Sequence, residues 1–107
     1  MEKEQVLDKA LSFDFGGMSR GEVSFLYDFC KGKMVLELGS MVGMSSFVIA
    51  SVCESITCVD IWNDTFEHVT HRQREVYENL WTHGFKMVDM FQNNCKEFLE
   101  SGKMKMV

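Results

Sequence analysis

The chain contains no proline, and nowhere in its 107 residues do about 18 apolar residues run together. The first absence is consistent with few rigid loops and decides nothing more. The second excludes a membrane-spanning helix and leaves no membrane partner to expect. Basic residues are scarce, with 11 Lys and Arg against 16 Asp and Glu, and no basic stripe offsets the net charge of −5. Phosphate binding needs clustered Lys and Arg, so the charge leads us to expect no nucleic acid and no anionic membrane surface as partners. Cys-x-x-Cys pairs are also missing. Cys30, Cys53, Cys58 and Cys95 lack the dense spacing of a disulfide scaffold and read as reduced core thiols in a cytoplasmic protein. The opening MEKEQVLDKALSFDF is charged and amphipathic, unlike a secretory leader with its unbroken apolar centre.

What is present fits an ordinary globular protein: 46% apolar and 25% charged residues. A chain of this length supports one domain, here 1–107, and can bury roughly two-thirds of its unfolded surface. Val6, Leu7, Ala10 and Leu11 recur at helical spacing, and Gly16-Gly17 breaks that pattern. Ser19 stands three residues before Glu22, the spacing of a capping box, and opens a helix with Val23, Leu26, Tyr27 and Cys30 on one face. MVLEL (34–38) reads as a strand covered on both faces. SSFVIASVC is helical in length, and ITCVDI (56–61) reads as the next strand. Strand, helix and strand in so short a span form a βαβ unit with parallel strands.

Beyond it, Asp64 and Glu67 suggest another capped helix, carrying Phe66, Val69, Val76, Tyr77, Leu80 and Trp81 and ending at Gly84. Residues 64–101 therefore read as a helical segment. A clearer stripe, Met90, Phe91, Asn94, Cys95, Phe98 and Leu99, stops at Gly102, and KMKMV looks like the start of a third strand. Glu67, His68, His71 and Glu75 could share a helical face as metal ligands, although solvated helix residues of this kind are commoner. Met87, Met90, Met104 and Met106 are read as core filler, and His83 as a helix C-terminal residue.

The informative region is KGKMVLELGSMVGMSSFVIASVCESITCVDIWND, residues 31–64. At the carboxyl end of the first strand the chain must turn sharply into a helix. Gly39 can adopt dihedrals closed to other residues and admits a ligand close to the backbone. Gly43 serves the same purpose at the helix entrance, where free N–H groups attract an anionic group. Asp60 ends the neighbouring strand, and from there a carboxylate can accept hydrogen bonds from the 2′ and 3′ hydroxyls of a ribose. Together they read as an adenosine-type nucleoside site. A dinucleotide fold wants Gly-x-Gly-x-x-Gly, whereas positions 39–44 read GSMVGM, which weakens a nicotinamide reading. The plain alternative is a structural strand-to-helix turn, with Glu37 merely capping the next helix.

VLELGSMVGMSS resembles the first motif of class I S-adenosylmethionine-dependent methyltransferases, in the Glu-x-Gly-x-x-x-Gly-x-Ser form of catechol-type and related small O-methyltransferases. ITCVDIW resembles their second motif. The resemblance covers 19–62 well and 88–107 loosely, while 64–87 looks like an insertion or a lengthened helix. It implies S-adenosylmethionine as cofactor. Glu37, Gly39 and Gly43 would frame the methionine moiety, with Ser40, Met41 and Val42 on the loop along it. Ser45 would meet the cofactor carboxylate, Asp60 would hold the ribose, and Ile61 and Trp62 would pack on the adenine. Trp62 is as readily a core side chain. Met41 replaces the middle glycine of the commoner signature.

The implied fold is α/β, a partial Rossmann-like three-layer sandwich with parallel strands in the order 3-2-1. A complete family member has seven strands in the order 3-2-1-4-5-7-6, so this chain is expected to be the truncated N-terminal, cofactor-binding half. Strand 1 then lacks a neighbour, leaving an open edge and a bare apolar face for a second copy or a missing C-terminal half. The expected acceptor is a small-molecule or sugar-like hydroxyl. No catalytic residue is assigned, because acceptor-side groups in this family come from later loops. Two alternatives stay open: a nicotinamide-dependent oxidoreductase fragment and a noncatalytic interaction module.

Overall fold

The computed structural model describes residues 1–62, Glu75 and 86–107. In chain order these form α1 (Lys3–Leu11), α2 (Arg20–Phe29), β1 (Met34–Leu38), α3 (Met44–Ala50), β2 (Ser55–Val59), α4 (Met87–Asn94), α5 (Lys96–Ser101) and β3 (Met104–Met106). The strands make one parallel sheet in the order β1-β2-β3. This is the α/β, partial Rossmann-like arrangement expected, with strand 1 at an edge and strand 2 in the middle.

Local sequence explains the helix boundaries. At Ser19 the capping box forms: the Glu22 N–H donates to Ser19 Oγ at 3.2 Å, and the Ser19 N–H donates to Glu22 Oε1 at 2.9 Å. That backbone bond, followed by the one to the Ser19 side chain, holds the Glu22 carboxyl below its usual range. A second capping box, Glu2 with Gln5, opens α1. Arg20 then reaches from α2 to Glu4 and Asp8 on α1, and Lys3 pairs with Asp28. These exposed pairs orient the helices and add little stability.

Alternation along the strands sorts the sheet into two faces. Val35, Ile56, Cys58, Met104 and Met106 join one core with Val6, Leu7 and Ala10 of α1, Val23 of α2, Phe47 and Val48 of α3, and Phe91 of α4. The register sets Val35 opposite Ile56, and Ile56 opposite Met104, so the apolar rows align on the helical side. Helix α3 is buried at every position except Ser45, its apolar residues in the core and Ser46 satisfied by Glu37. The other face is bare, as the 3-2-1 order implies, and not covered as the apolar run of β1 alone suggests. Met34, Leu36 and Leu38 are 76%, 64% and 75% exposed. The described residues supply two layers of the sandwich, the sheet and the helices on one face.

The single helix expected over 88–101 is kinked. Cys95, at φ −107° and ψ 17°, separates α4 from α5. Its buried side chain points at the turn after β1, while α5 swings away to deliver β3 through the left-handed Gly102. Met87 and Met104 are buried as expected, and Met90 and Met106 are half-buried. Apart from Glu75, the helix assigned to 64–84, its Asp64–Glu67 cap and His83 lie outside the described residues. Among the described residues no helix is long and apolar enough to cross a membrane.

All four cysteines are free and buried. Burial pushes the Cys95 thiol up to about 12, helped by Cys58 and Glu37, and burial and then Glu37 push Cys58 up to about 11. Raised thiols favour the fold while protonated. The unfolded chain loses these protons first, so stability is full below the ordinary thiol value of about 9 and falls as pH rises through about 11 and 12. In the folded protein Cys58 and Cys95 are expected to resist a thiol-labelling reagent at pH 8 and to react only on denaturation; rapid native labelling would contradict this burial. Ile56→Ala is expected to cost about 2–4 kcal/mol, whereas Leu36→Ser costs under about 0.5 kcal/mol, measured by urea unfolding.

Candidate functional site

The strands β1 and β2 end side by side, at Leu38 and Val59. One further backbone bond, from the Gly39 N–H to the Val59 carbonyl at 2.7 Å, extends the pairing into the turn. The chain then alternates into the left-handed region, with φ of 85° at Gly39, 46° at Met41 and 92° at Gly43. A β-carbon at Gly39 would meet no atom of the described residues within 4 Å. Gly43 is crowded, and a β-carbon would lie 2.8 Å from Cys95 Sγ and 3.0 Å from Phe91 Cδ2. The first glycine leaves room above the backbone; the second lets α4 approach beneath it.

Asp60 stands immediately beyond β2, and its carboxylate crosses to this turn. Oδ2 accepts the Met41 N–H at 2.9 Å, and Oδ1 accepts the Trp62 N–H at 3.0 Å. A carboxylate oxygen has two acceptor positions, so each oxygen retains one for a further donor. Glu37 lies on the helical face of β1. Its Oε2 accepts from Ser45 Oγ at 2.6 Å and its Oε1 accepts from Ser46 Oγ. Ser40 is buried, and among the described residues its Oγ has no hydrogen-bond partner.

The residues singled out in the sequence therefore gather at one rim of the sheet, with differences in detail. A hydroxyl expected to meet a cofactor carboxylate, Ser45, spends its only proton on Glu37. Ile61 is 78% exposed beside Asp60. Trp62 is half-buried at φ 52°, its ring 4.7 Å from Phe91 and its indole N–H donating to the Val107 carbonyl at 2.7 Å. Met41, a non-glycine residue, takes a left-handed conformation, which carries strain.

Sequence reading missed Ser46, Asn94 and Phe91. Ser46 was visible in GMSS, but its pairing with Glu37 depends on the helix phase. Asn94 donates to the Val42 carbonyl at 2.8 Å across 52 positions, and no local pattern signals such a contact. Of the metal candidates, Glu67, His68 and His71 lie outside the described residues, and Glu75 is an exposed helical residue. Among the described residues no three His, Cys, Asp or Glu side chains are grouped to hold a metal.

No protein-family profile matches the chain, and no curated protein matches it in sequence. In three dimensions it is similar to a crystal structure from Pyrococcus horikoshii, provisionally described as an RNA methyltransferase. The TM-score is 0.56 at 19% identity, over 99% of this chain and 48% of that one. The fold is methyltransferase-like. The chain spans about half the length of that structure.

This neighbour overturns the expectation of no nucleic-acid partner. Net charge averages over a whole surface, whereas RNA contact needs only a local cluster of cations, so −5 carries no exclusion for such a fold.

The strain at Met41 is measurable. Met41→Gly is expected to leave stability unchanged or raise it by up to about 1 kcal/mol, while Met41→Val lowers it by about 1–2 kcal/mol. Equal effects of the two in chemical denaturation would contradict a left-handed residue there.

Proposed function

We propose that the chain is the S-adenosylmethionine-binding half of a class I type methyltransferase, with 1–107 forming one unit. The observation that carries this reading is the Asp60 carboxylate bonded to the Met41 amide, at the rim where two parallel strands end. Crevices outside the carboxyl ends of parallel strands are where ligands of open α/β sheets bind.

The residues present fit this cofactor. No described side chain crowds Gly39, and the two spare acceptor positions of Asp60 suit the paired hydroxyls of a ribose. Glu37, fixed by Ser45 and Ser46, offers negative charge toward the methionine end. With its proton committed, Ser45 aligns Glu37 and presents only acceptor capacity to the cofactor. Ser40 and Met41 line the loop between the glycines, Ile61 offers an apolar surface for adenine, and Trp62 borders it from its seat on Phe91. When bound, the sulfonium supplies an activated methyl group. The protein's part is orientation and exclusion of water. No catalytic residue is assigned within this chain.

Two acceptor classes follow from different observations. The structural neighbour's description favours RNA, and the Glu-x-Gly-x-x-x-Gly-x-Ser form favours a small-molecule hydroxyl. A nicotinamide dinucleotide is the weaker cofactor, because its pyrophosphate must approach where Met41 carries a side chain.

Calorimetric titration tests the reading. S-adenosylmethionine is expected to bind in the micromolar range, NAD to give no saturable heat, and Asp60→Ala to weaken S-adenosylmethionine by at least about tenfold. Unchanged affinity in Asp60→Ala, or preference for NAD, overturns it. Transfer of a labelled methyl group to an RNA pool or to a catechol-type diol then separates the two acceptors.

A further inference from the structure

We propose that helix α4 is the brace that keeps the 39–43 loop in its binding shape, with Asn94 as the positioning residue. The proposal rests on the cofactor reading above and extends it to a helix far away in sequence. Four side chains of this one helix and its cap converge on two loop residues. Met87 packs on the buried side chain of Val42, and Asn94 Nδ2 donates to the Val42 carbonyl at 2.8 Å. Phe91 fills the space beside Gly43, and Cys95 Sγ lies 3.6 Å from the Gly43 carbonyl.

The loop needs an outside support. Three of its five residues have positive φ, one of them a methionine, and the bond inside the loop is Gly43 N–H to the Ser40 carbonyl at 2.9 Å. Such a conformation persists only where its surroundings over-determine it. A buried carbonyl such as that of Val42 must also find a donor, and Asn94 is that donor. Phe91 meets Trp62 as well, at 4.7 Å, and Trp62 N–H bonds to Asp60. Helix α4 thus touches both halves of the site, the glycine turn and the segment carrying the ribose acid. Shifting it would move the Gly43 and Asp60 sides relative to each other.

The test combines amide hydrogen exchange with cofactor titration on the whole chain. Asn94→Asp keeps the size but replaces the donor with an acceptor facing the Val42 carbonyl; Asn94→Ala removes the contact with less disturbance. In both, exchange at the Met41 and Gly43 amides is expected to quicken by about tenfold or more, while the Ile56 and Cys58 amides of β2 change by less than about twofold. S-adenosylmethionine affinity is expected to fall by about five- to tenfold, and Asn93→Ala, at an exposed neighbour, to leave all three readouts unchanged. Loop and β2 amides quickening together would make Asn94 a general stabilising residue and overturn the proposal. Unchanged loop exchange, or faster loop exchange with unchanged affinity, would overturn it equally. Should the unaltered chain bind no S-adenosylmethionine, the cofactor reading fails, and the exchange pattern alone still decides whether Asn94 braces the loop.

Discussion

One hydrogen bond, from the Met41 amide to Asp60 Oδ2, makes the turn after β1 and the end of β2 a single object. It can form only because β1 and β2 are parallel and paired without offset from Met34–Ser55 to Leu38–Val59. A slip of one residue would move Asp60 off the rim and turn Ile56 and Cys58 out of the core. The site's geometry is therefore fixed by something with no functional content of its own, the alternation of apolar side chains that must face α1, α3 and α4. Burying that row supplies the energy, and the carboxylate's position follows from it.

The same alternation accounts for the structure's asymmetry. On the helical side Ile56, Cys58 and Met104 are almost wholly buried, while Met34, Leu36 and Leu38 remain exposed on the other. A strand apolar on both faces is the signature of a central position in a parallel sheet, yet β1 lies at the edge of the three described strands. The two facts sit together with the match to about half of the Pyrococcus structure. The open edge and bare face of β1 are those the 3-2-1 order implies, whereas its apolar run taken alone implies cover on both faces.

Features that depend on neighbouring residues could be read directly. The Ser19–Glu22 cap, the βαβ unit, the glycines after β1 and the acid after β2 all declare themselves within a few positions, because turn chemistry and period are local. What escaped depends on distance or on phase. Nothing around Asn94 announces a bond to Val42, and the kink at Cys95, whose side chain lies against Gly43, coincides with no proline or glycine. The direction of the Ser45 proton depends on Glu37 lying on the helical face, which the motif alone does not state. The charge argument failed for a different reason: it treated a sum over the chain as a property of one surface.

The proton on Ser45 bears on which cofactor the site favours. Glu37 accepts a hydrogen bond from each of Ser45 and Ser46, and Asp60 accepts two from backbone N–H groups, so the positions both carboxylates keep free can only accept. None of Glu37, Gly39, Ser40, Met41, Gly43, Ser45, Asp60, Ile61 and Trp62 is cationic. A rim with two carboxylates and spare acceptor positions suits a ligand that brings hydroxyls, an ammonium and a sulfonium. A pyrophosphate would bring two negative charges near Glu37 without a compensating Lys or Arg among these residues, whereas Asp60 does not discriminate, since a ribose acid serves both cofactors. For the proposed site, the glycine spacing removes one close approach of a pyrophosphate, and the carboxylate of Glu37 adds a like charge beside it.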